Sequence, residues 1–287
     1  MLKIGSHVSM SGGLLGAAQE AFSYGANTFM IYTGAPKNTR RSPIEKLKIT
    51  EGQKFMAAHD ISDIVVHAPY IINLAATKED TYILAKEFLK LELDRTKAIG
   101  SNYLVVHPGA YTSSSLNEGI TKIIEAINFV LDISEQDSPI ILLETMSGKG
   151  TEIGKNFDEI KRIIEGIRIK NNIGVCLDTC HLHDGGYDIV DNFEKVLEEF
   201  DKTIGVDYIK VMHINGSINI RGAKKDRHAN LGADKDNPRG EDKIGLKAIK
   251  RIVNMPIFNN IPMILETPWL DKNTNLYKKE IALLRGN

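Results

Sequence analysis

The chain has 287 residues, 42% of them apolar and 25% charged, with a formal net charge of −1. This is the make-up of a soluble globular protein of one large domain or two small ones. It excludes a membrane-spanning chain, whose apolar runs would far exceed the runs of about five residues seen here, and a surface coated in positive charge, though not a local anion-binding face.

Two cysteines, Cys176 and Cys180, exclude a disulfide framework and predict a reducing, cytoplasmic home. The N-terminal Met1-Leu2-Lys3-Ile4-Gly5 runs straight into a strand pattern, without the look of a signal or transit segment. From there, apolar runs predict strands at 4–8, 28–32, 64–67, 103–107, 140–144, 173–178, 208–213 and 263–266. Most are rich in Val, Ile and Leu without strict alternation, as strands covered on both faces should be. Amphipathic stretches follow them at 17–24, 44–59, 78–99, 116–133, 157–169, 193–204, 246–253 and 275–284. In the 78–99 stretch, Leu84, Phe88, Leu91 and Leu93 are read as the face opposite the charges. Eight strand–helix units without a linker predict an α/β fold, a TIM (β/α)8 barrel forming one catalytic domain over 1–287. The runner-up is an open doubly wound sheet. The polar segment 215–243, with Arg221, Lys224, Lys225, Arg227, Lys235, Arg239 and Lys243, reads as a long functional loop.

The strands end alike. From the third onward their last residues are His67, His107, Glu144, Asp178, His213 and Glu266. In a barrel these ends share one rim, where catalytic groups gather. Two residues earlier stand Val65, Val105, Leu142, Val211 and Ile264, which alternation places on the same side. The pattern predicts an apolar interior topped by a ring of imidazoles and carboxylates. Loops at the same rim add His181, Asp226 and His228. Buried charge is costly unless paired or metal-bound. Five imidazoles with four carboxylates suit Zn²⁺ or a neighbouring divalent ion. At about four contacts per ion they would serve two or three.

A lone strand-end histidine is most often a hydrogen-bonded core residue, but six strand ends carrying His, Asp or Glu are not explained that way. Elsewhere the bland reading is preferred. Cys176 reads as a small core filler, Cys180 as packing, His183 as hydrogen-bonded in a loop and His59 as a helix-end residue. His7 reads as supporting a ligand rather than being one. Gly12-Gly13 reads as a tight strand-to-helix turn, lacking the further glycine of a dinucleotide fingerprint. Lys37, Arg40 and Arg41 place cations in a rim loop and point to an anionic substrate. Tyr70 and Ile71 read equally well as loop packing or as groups that stack on, or wedge into, a partner.

The motifs Gly-Ser-His7-Val-Ser, His67-Ala-Pro-Tyr70-Ile71-Ile-Asn-Leu, Val-Val-His107-Pro-Gly and Leu-Leu-Glu144-Thr carry a family resemblance. It continues through Cys-Leu-Asp178-Thr-Cys-His181, His213-Ile-Asn, Asp226-Arg-His228 and Ile-Leu-Glu266-Thr-Pro. Together they resemble endonuclease IV, the zinc-dependent abasic-site endonucleases of AP endonuclease family 2, over essentially the whole chain. The resemblance implies three Zn²⁺ per chain. One would take His67, His107 and Glu144. A second would share Glu144 as a bridge with Asp178, His213 and Glu266. A third would take His181, Asp226 and His228. It implies catalytic roles for Glu144 and Glu266. Tyr70, Ile71 and one arginine of Arg40-Arg41 would enter the DNA, with Lys37 and Arg227 also facing it.

The implied activity is that of a deoxyribonuclease IV-type hydrolase in base-excision repair. It would cut double-stranded DNA 5′ to an abasic site, leaving a 3′-hydroxyl and a 5′-deoxyribose phosphate, with trimming of 3′ ends besides. A cytoplasmic monomer with no membrane contact and no obligatory protein partner is implied as well. Two departures stand out. Gly216 occupies a position that is acidic in the family pattern, and 233–243 is longer than the short glycine-rich turn expected there.

Two other functions compete. A divalent-metal sugar isomerase or epimerase on the same barrel would need mainly Glu144, Asp178, His213 and Glu266. It leaves His67, His107, His181, Asp226 and His228 without a task. A non-catalytic nucleic-acid binder would keep its activity after Glu144→Gln, whereas a metal-assisted hydrolase would not.

Overall fold

Val, Ile and Leu in unbroken runs suit strands covered on both faces, and the runs form such strands. The computed structural model describes residues 2–131 and 137–286. In chain order its strands are β1 (Ile4–Ser6), β2 (Met30–Ile31), β3 (Val65–His67), β4 (Tyr103–Val106), β5 (Ile140–Glu144), β6 (Ile173–Asp178), β7 (Ile209–His213), β8 (Gly216–Ser217), β9 (His228–Ala229) and β10 (Met263–Leu265). Eight of these, all but β8 and β9, make one parallel sheet in which β2 through β7 pair in sequence. β7 pairs with β10, and β10 with β1. A bridge between His7 and Met30 closes the last seam. The helices are α1 (Gly13–Ser23), α2 (Ile49–Ala58), α3 (Glu79–Ile99), α4 (Leu116–Val130), α5 (Phe157–Gly166), α6 (Thr179–Gly185), α7 (Phe193–Thr203), α8 (Leu246–Val253) and α9 (Tyr277–Arg285). This is the (β/α)8 barrel that the alternation predicts.

Side-chain alternation divides the strands into two layers. Met30, Val65, Val105, Leu142, Cys176, Val211 and Ile264 point inward and form a fully buried plug. Val66, Leu104, Val106, Ile141, Leu143, Val175 and Leu177 join the larger core beneath the helices. Burying each such side chain contributes roughly 1.5–3 kcal/mol. A carboxylate at position 105 would forfeit that and bury an unpaired charge. Cys176 fills the plug as the small residue expected. Gly12-Gly13 also makes its tight turn: Gly13 has φ +70°, and a Cβ there would meet the Leu47 carbonyl at 2.5 Å.

Several elements differ from the sequence reading. Leu84 and Leu91 are not on the covered face of α3; they are 51% and 41% exposed. The buried stripe is Tyr82, Ala85, Leu89, Glu92, Thr96 and Ile99, which follows the i, i+3, i+4 spacing. Leu84 and Leu91 lie about a third of a turn away from its centre. The stretch 44–59 breaks into a 3₁₀ turn, Ile44–Lys46, and α2, with Lys48 at φ +49° between them. Helix α4 ends at Val130, and the last two residues of the 116–133 stretch lie outside the described residues. Finally, the segment after β6 is not a loop. Thr179 to Gly185 form α6, because Asp178 caps it by accepting from the His181 N–H at 2.7 Å.

Candidate metal centre

Six of the eight barrel strands deliver one acidic or imidazole side chain where the apolar plug stops. His67, Glu144, Asp178 and His213 are the last residues of β3, β5, β6 and β7, and His107 and Glu266 are the first beyond β4 and β10. Parity turns them all to the barrel axis, above the plug. Glu144, 1% exposed, stands at the centre. Its Oε2 lies 3.1 Å from Nε2 of His67 and 3.1 Å from Nε2 of His107. Its Oε1 lies 2.9 Å from Nδ1 of His213 and 3.3 Å from Nδ1 of His181. Glu266 Oε2 is 3.1 Å and Asp178 Oδ2 3.8 Å from the same His213 nitrogen. One potential ligand atom from each of Glu144, Asp178, His213 and Glu266 lies within 4.8 Å of the other three.

An outer group continues the cluster. Asp226 Oδ1 lies 3.1 Å from His181 Nε2 and 3.5 Å from His228 Nε2, and His228 Nε2 lies 3.9 Å from Asp178 Oδ2. His181 comes from α6 and His228 from β9, so this group spans two elements that the sequence did not reveal. Cys180 also approaches Asp226 and His228. It is fully buried, and burial pushes its thiol well above its usual range.

Hydrogen bonds decide which ring nitrogens face the cluster. Nδ1–H of His67 donates to the Ala68 carbonyl at 2.6 Å, that of His181 to the Thr145 carbonyl at 2.8 Å, and that of His228 to the Glu266 carbonyl at 3.2 Å. In the neutral ring this leaves the lone pair on Nε2. Each Nε2 then faces a carboxylate oxygen, and those of His181 and His228 are buried without a hydrogen-bond partner. A lone pair against an anion is repulsive unless a cation lies between them, and orientation of Nδ1–H by a carbonyl is the usual way a ligating histidine is fixed. Two ligands at about 2.1 Å from a tetrahedral Zn²⁺ stand about 3.4 Å apart. Separations of 3.1 and 3.5 Å in the outer group therefore fit an ion between the partners.

Without a metal, protons take that place. Burial opposes ionisation of His181, but the negative Asp178 and Asp226 outweigh it and lift its pKa well above the usual value. Asp226 is itself desolvated, yet the His181 charge holds it down at about 2. Burial likewise opposes the Glu144 carboxylate, and the His213 and His107 charges keep it well below the usual range.

Residues that the sequence reading passed over hold these groups in place. Asn215 donates Nδ2–H to Asp178 at 2.7 Å and to Glu266 at 3.3 Å, and accepts from the Glu266 N–H at 2.9 Å. Thr145 accepts from the Asp178 N–H at 3.0 Å, and Thr179 donates to the Asn215 carbonyl at 2.6 Å. Their one sequence signal was position, one or two residues past a strand-end ligand. His7 is packed edge-on to Tyr32 and lies in the field of Glu266; burial lowers its pKa to about 4, and its Nε2 is buried without a hydrogen-bond partner. His183 hydrogen-bonds the Asn219 carbonyl at 3.1 Å, as expected, though from a helix. His59 ends α2 and stacks on Phe55.

Of the residues read as facing DNA, Tyr70 and Ile71 are 48% and 38% exposed, three and four residues beyond His67. Lys37, Arg40 and Arg227 are exposed on the loops that follow β2 and β8. Arg41 is the correction. Its side chain is 4% exposed, its Nε donates to the buried Glu92 at 2.6 Å, and its guanidinium covers the Phe88 ring. The loop folds back on α3 because a buried carboxylate there needs a cation, so Arg41 is taken up internally. A cleft of about 750 Å³ opens beside the cluster, lined by His7, Tyr32, Thr33, Gly34 and Trp269 among others.

A parallel barrel whose strand ends gather histidines and carboxylates is the architecture of a metal-dependent barrel enzyme. Residues 18–287 match the family described as xylose isomerase-like TIM barrel. The chain belongs to the endonuclease IV branch of that family. A "Probable endonuclease 4" from Geobacillus sp. (strain WCH70) is 54% identical across all of this chain and 95% of its own length. The crystal structure of endonuclease IV from Thermus thermophilus is 27% identical, with a TM-score of 0.83 over 99% of this chain and 100% of that one. A 3-keto-D-glucoside 4-epimerase from E. coli, 15% identical with a TM-score of 0.69 over 100% of both chains, is similar in fold alone.

Proposed function

We propose that this DNA-cleaving hydrolase acts on double-stranded DNA at abasic sites in base-excision repair. It would hydrolyse the phosphodiester 5′ to the lesion, leaving a 3′-hydroxyl and a 5′-deoxyribose phosphate, and trim blocked 3′ ends. The observation that carries the reading is the set of imidazoles whose Nδ1–H is tied to backbone carbonyls while Nε2 faces carboxylate oxygens. His67, His107 and Glu144 would hold one Zn²⁺. Glu144, Asp178, His213 and Glu266 would hold a second, and His181, Asp226 and His228 a third. Bound zinc would bring the pKa of water to about 7 and neutralise phosphate oxygens, so no side chain need act as a dedicated base.

The chain's own groups do the remaining work. Glu144 links inner and outer imidazoles through its two oxygens, and Glu266 completes the quartet around His213. Asn215 and Thr145 keep the carboxylates aimed inward. Lys37, Arg40 and Arg227 would meet phosphates, which fix position without reading sequence. Tyr70 and Ile71 would occupy the gap left in the stack. An abasic nucleotide lacks stacking and is the least costly to extrude, and this would give the selectivity. Three divalent ions add six to the formal −1, giving +5, so the charge that attracts DNA would sit in the site rather than over the surface.

We further propose that the whole chain acts as one catalytic domain and as a monomer in the cytoplasm. Both cysteines are free and buried, and no helix among the described residues is long and apolar enough to cross a membrane. The epimerase reading draws on the shared fold and on the Glu144, Asp178, His213 and Glu266 quartet, but gives the outer group nothing to do. Elemental analysis combined with incision of a duplex carrying one abasic analogue tests the proposal. Three zinc ions and a single cut 5′ to the lesion are expected. One ion per chain with turnover of free sugars and no incision would overturn it.

A further inference from the structure

Two buried carboxylates near the outer group remain unused by this chemistry. Asp184 is fully buried on α6, one turn beyond His181. It accepts from Ser217 Oγ at 2.6 Å, from Asn219 Nδ2 at 2.7 Å and from the Asp226 N–H at 2.9 Å. Its own carbonyl accepts from the Lys224 N–H at 2.9 Å. Lys224 and Asp226 have φ of +56° and +57°, a left-handed conformation that residues other than glycine keep only when held there. Asp184 holds both. One helical turn thus carries an outer ligand, His181, and the clamp for another, Asp226.

Asp242 works from the other side. Its Oδ1 accepts from the N–H groups of Ser217 and Ile244 at 3.2 and 3.0 Å, and its Oδ2 from that of Gly232 at 2.9 Å. These donors lie on β8, beyond β9 and before α8, so one carboxylate ties three parts of the loop together. β8 in turn pairs Ser217 with His228. A Cβ at Gly216 would stand 2.7 Å from the Asp242 carboxyl carbon and 3.0 Å from the Ala229 carbonyl oxygen. The bare position at 216 and the long 233–243 segment therefore belong to one arrangement. The segment brings a carboxylate into space that a side chain at 216 would fill.

We propose that Asp184 and Asp242 are positioning residues for the outer pocket. Asp184 sets Asp226 against His181, and Asp242 sets the strand pair that presents His228. The inference rests on the reading of His181, Asp226 and His228 as a zinc pocket. Removing such an outer partner typically weakens metal affinity by about 10–100-fold.

The test is zinc content per chain after dialysis against a weak chelator, with thermal melting in parallel. The parent protein is measured first, and fewer than three ions there would count against the zinc reading itself. Given three, Asp184→Ala and Asp242→Ala should each lose one ion while keeping two. Asp184→Asn should keep all three, because its side-chain oxygen can still accept from Asp226 and Asn219 while its amide donates to Ser217. Full retention in both alanine variants, parallel loss of all three ions, or an Asn variant as weak as Ala would overturn the proposal. Should Asp184→Ala not fold, Asp242→Ala and Gly216→Ala are read against the same expectation.

Discussion

Nε2 of His181 lies 3.1 Å from Oδ1 of Asp226. With Nδ1–H committed to the Thr145 carbonyl, a neutral ring sets two electron-rich atoms face to face. Both are aimed at a point between them. A cation at that point turns the repulsion into attraction, and the same holds for His228 against Asp226.

Removing metal should therefore abolish incision and lower the melting temperature. An ion present at about 100 times its Kd stabilises the fold by about 2.7 kcal/mol per site. Added Zn²⁺ should restore both properties. Incision and melting that are unchanged in protein stripped of all metal would sink the zinc reading.

Stripped protein should also respond to pH in an unusual direction. His181 is lifted by Asp178 and Asp226 despite burial, and His107 by Glu144 despite burial, both above the ordinary 6.5. A raised histidine pKa contributes stability that is fully present below the unfolded value and is lost as pH rises through the folded one. Metal-free protein should thus melt higher at about pH 6 than at about pH 8.5. Loaded protein should not follow that trend, because ion binding requires neutral imidazoles. Thermal melts of both forms across this range check it.

Glu144→Gln should cut incision by more than about 100-fold, beyond the loss typical of an outer partner. The amide cannot carry the charge that faces His67, His107, His181 and His213 at 2.9–3.3 Å. Steady-state incision and zinc content should fall together. A fully active glutamine variant would remove Glu144 from the chemistry.

Arg40 and Arg41 should separate cleanly. Arg41→Ala removes the ion-pair partner of the buried Glu92, leaving it the Thr33 hydroxyl and the Arg95 charge, and should cost about 3 kcal/mol of stability, read by denaturant unfolding. Arg40→Ala should leave stability alone and reduce the salt dependence of DNA binding by the equivalent of about one phosphate contact. The reverse pattern would reassign the pair.

Tyr70→Ala and Ile71→Ala should leave melting unchanged, because both side chains are exposed. Affinity for abasic duplex should weaken by about 1–3 kcal/mol if the ring stacks on a base. Equal affinity for intact and abasic duplex in Tyr70→Ala, with normal zinc content, would locate lesion recognition there.

The barrel and most of the candidate site were legible in the sequence for one physical reason. A parallel strand covered on both faces must be apolar until it leaves the barrel, so the first polar residue marks the rim. That rule alone located His67, His107, Glu144, Asp178, His213 and Glu266, and parity placed Val65, Val105, Leu142, Val211 and Ile264 beneath them. The expected zinc count and the expected assignment of residues to DNA rest instead on family resemblance.

Tertiary structure decided what one-dimensional pattern cannot carry. Arg41 looked like its neighbour Arg40 until Glu92, 51 residues away, was seen to need a cation. Leu84 and Leu91 are exposed although they are apolar, because contact with the barrel, not charge spacing, sets the covered face of α3. α6 was hidden because its cap, Asp178, also ends a strand. The clamps Asp184, Asn215 and Asp242 act through hydrogen bonds between segments up to 51 residues apart in sequence. The chain's own order thus specified which groups reach the rim, because burial is a local, periodic property. Which way those groups point depended on distant donors and acceptors, and only the closed barrel brings these together.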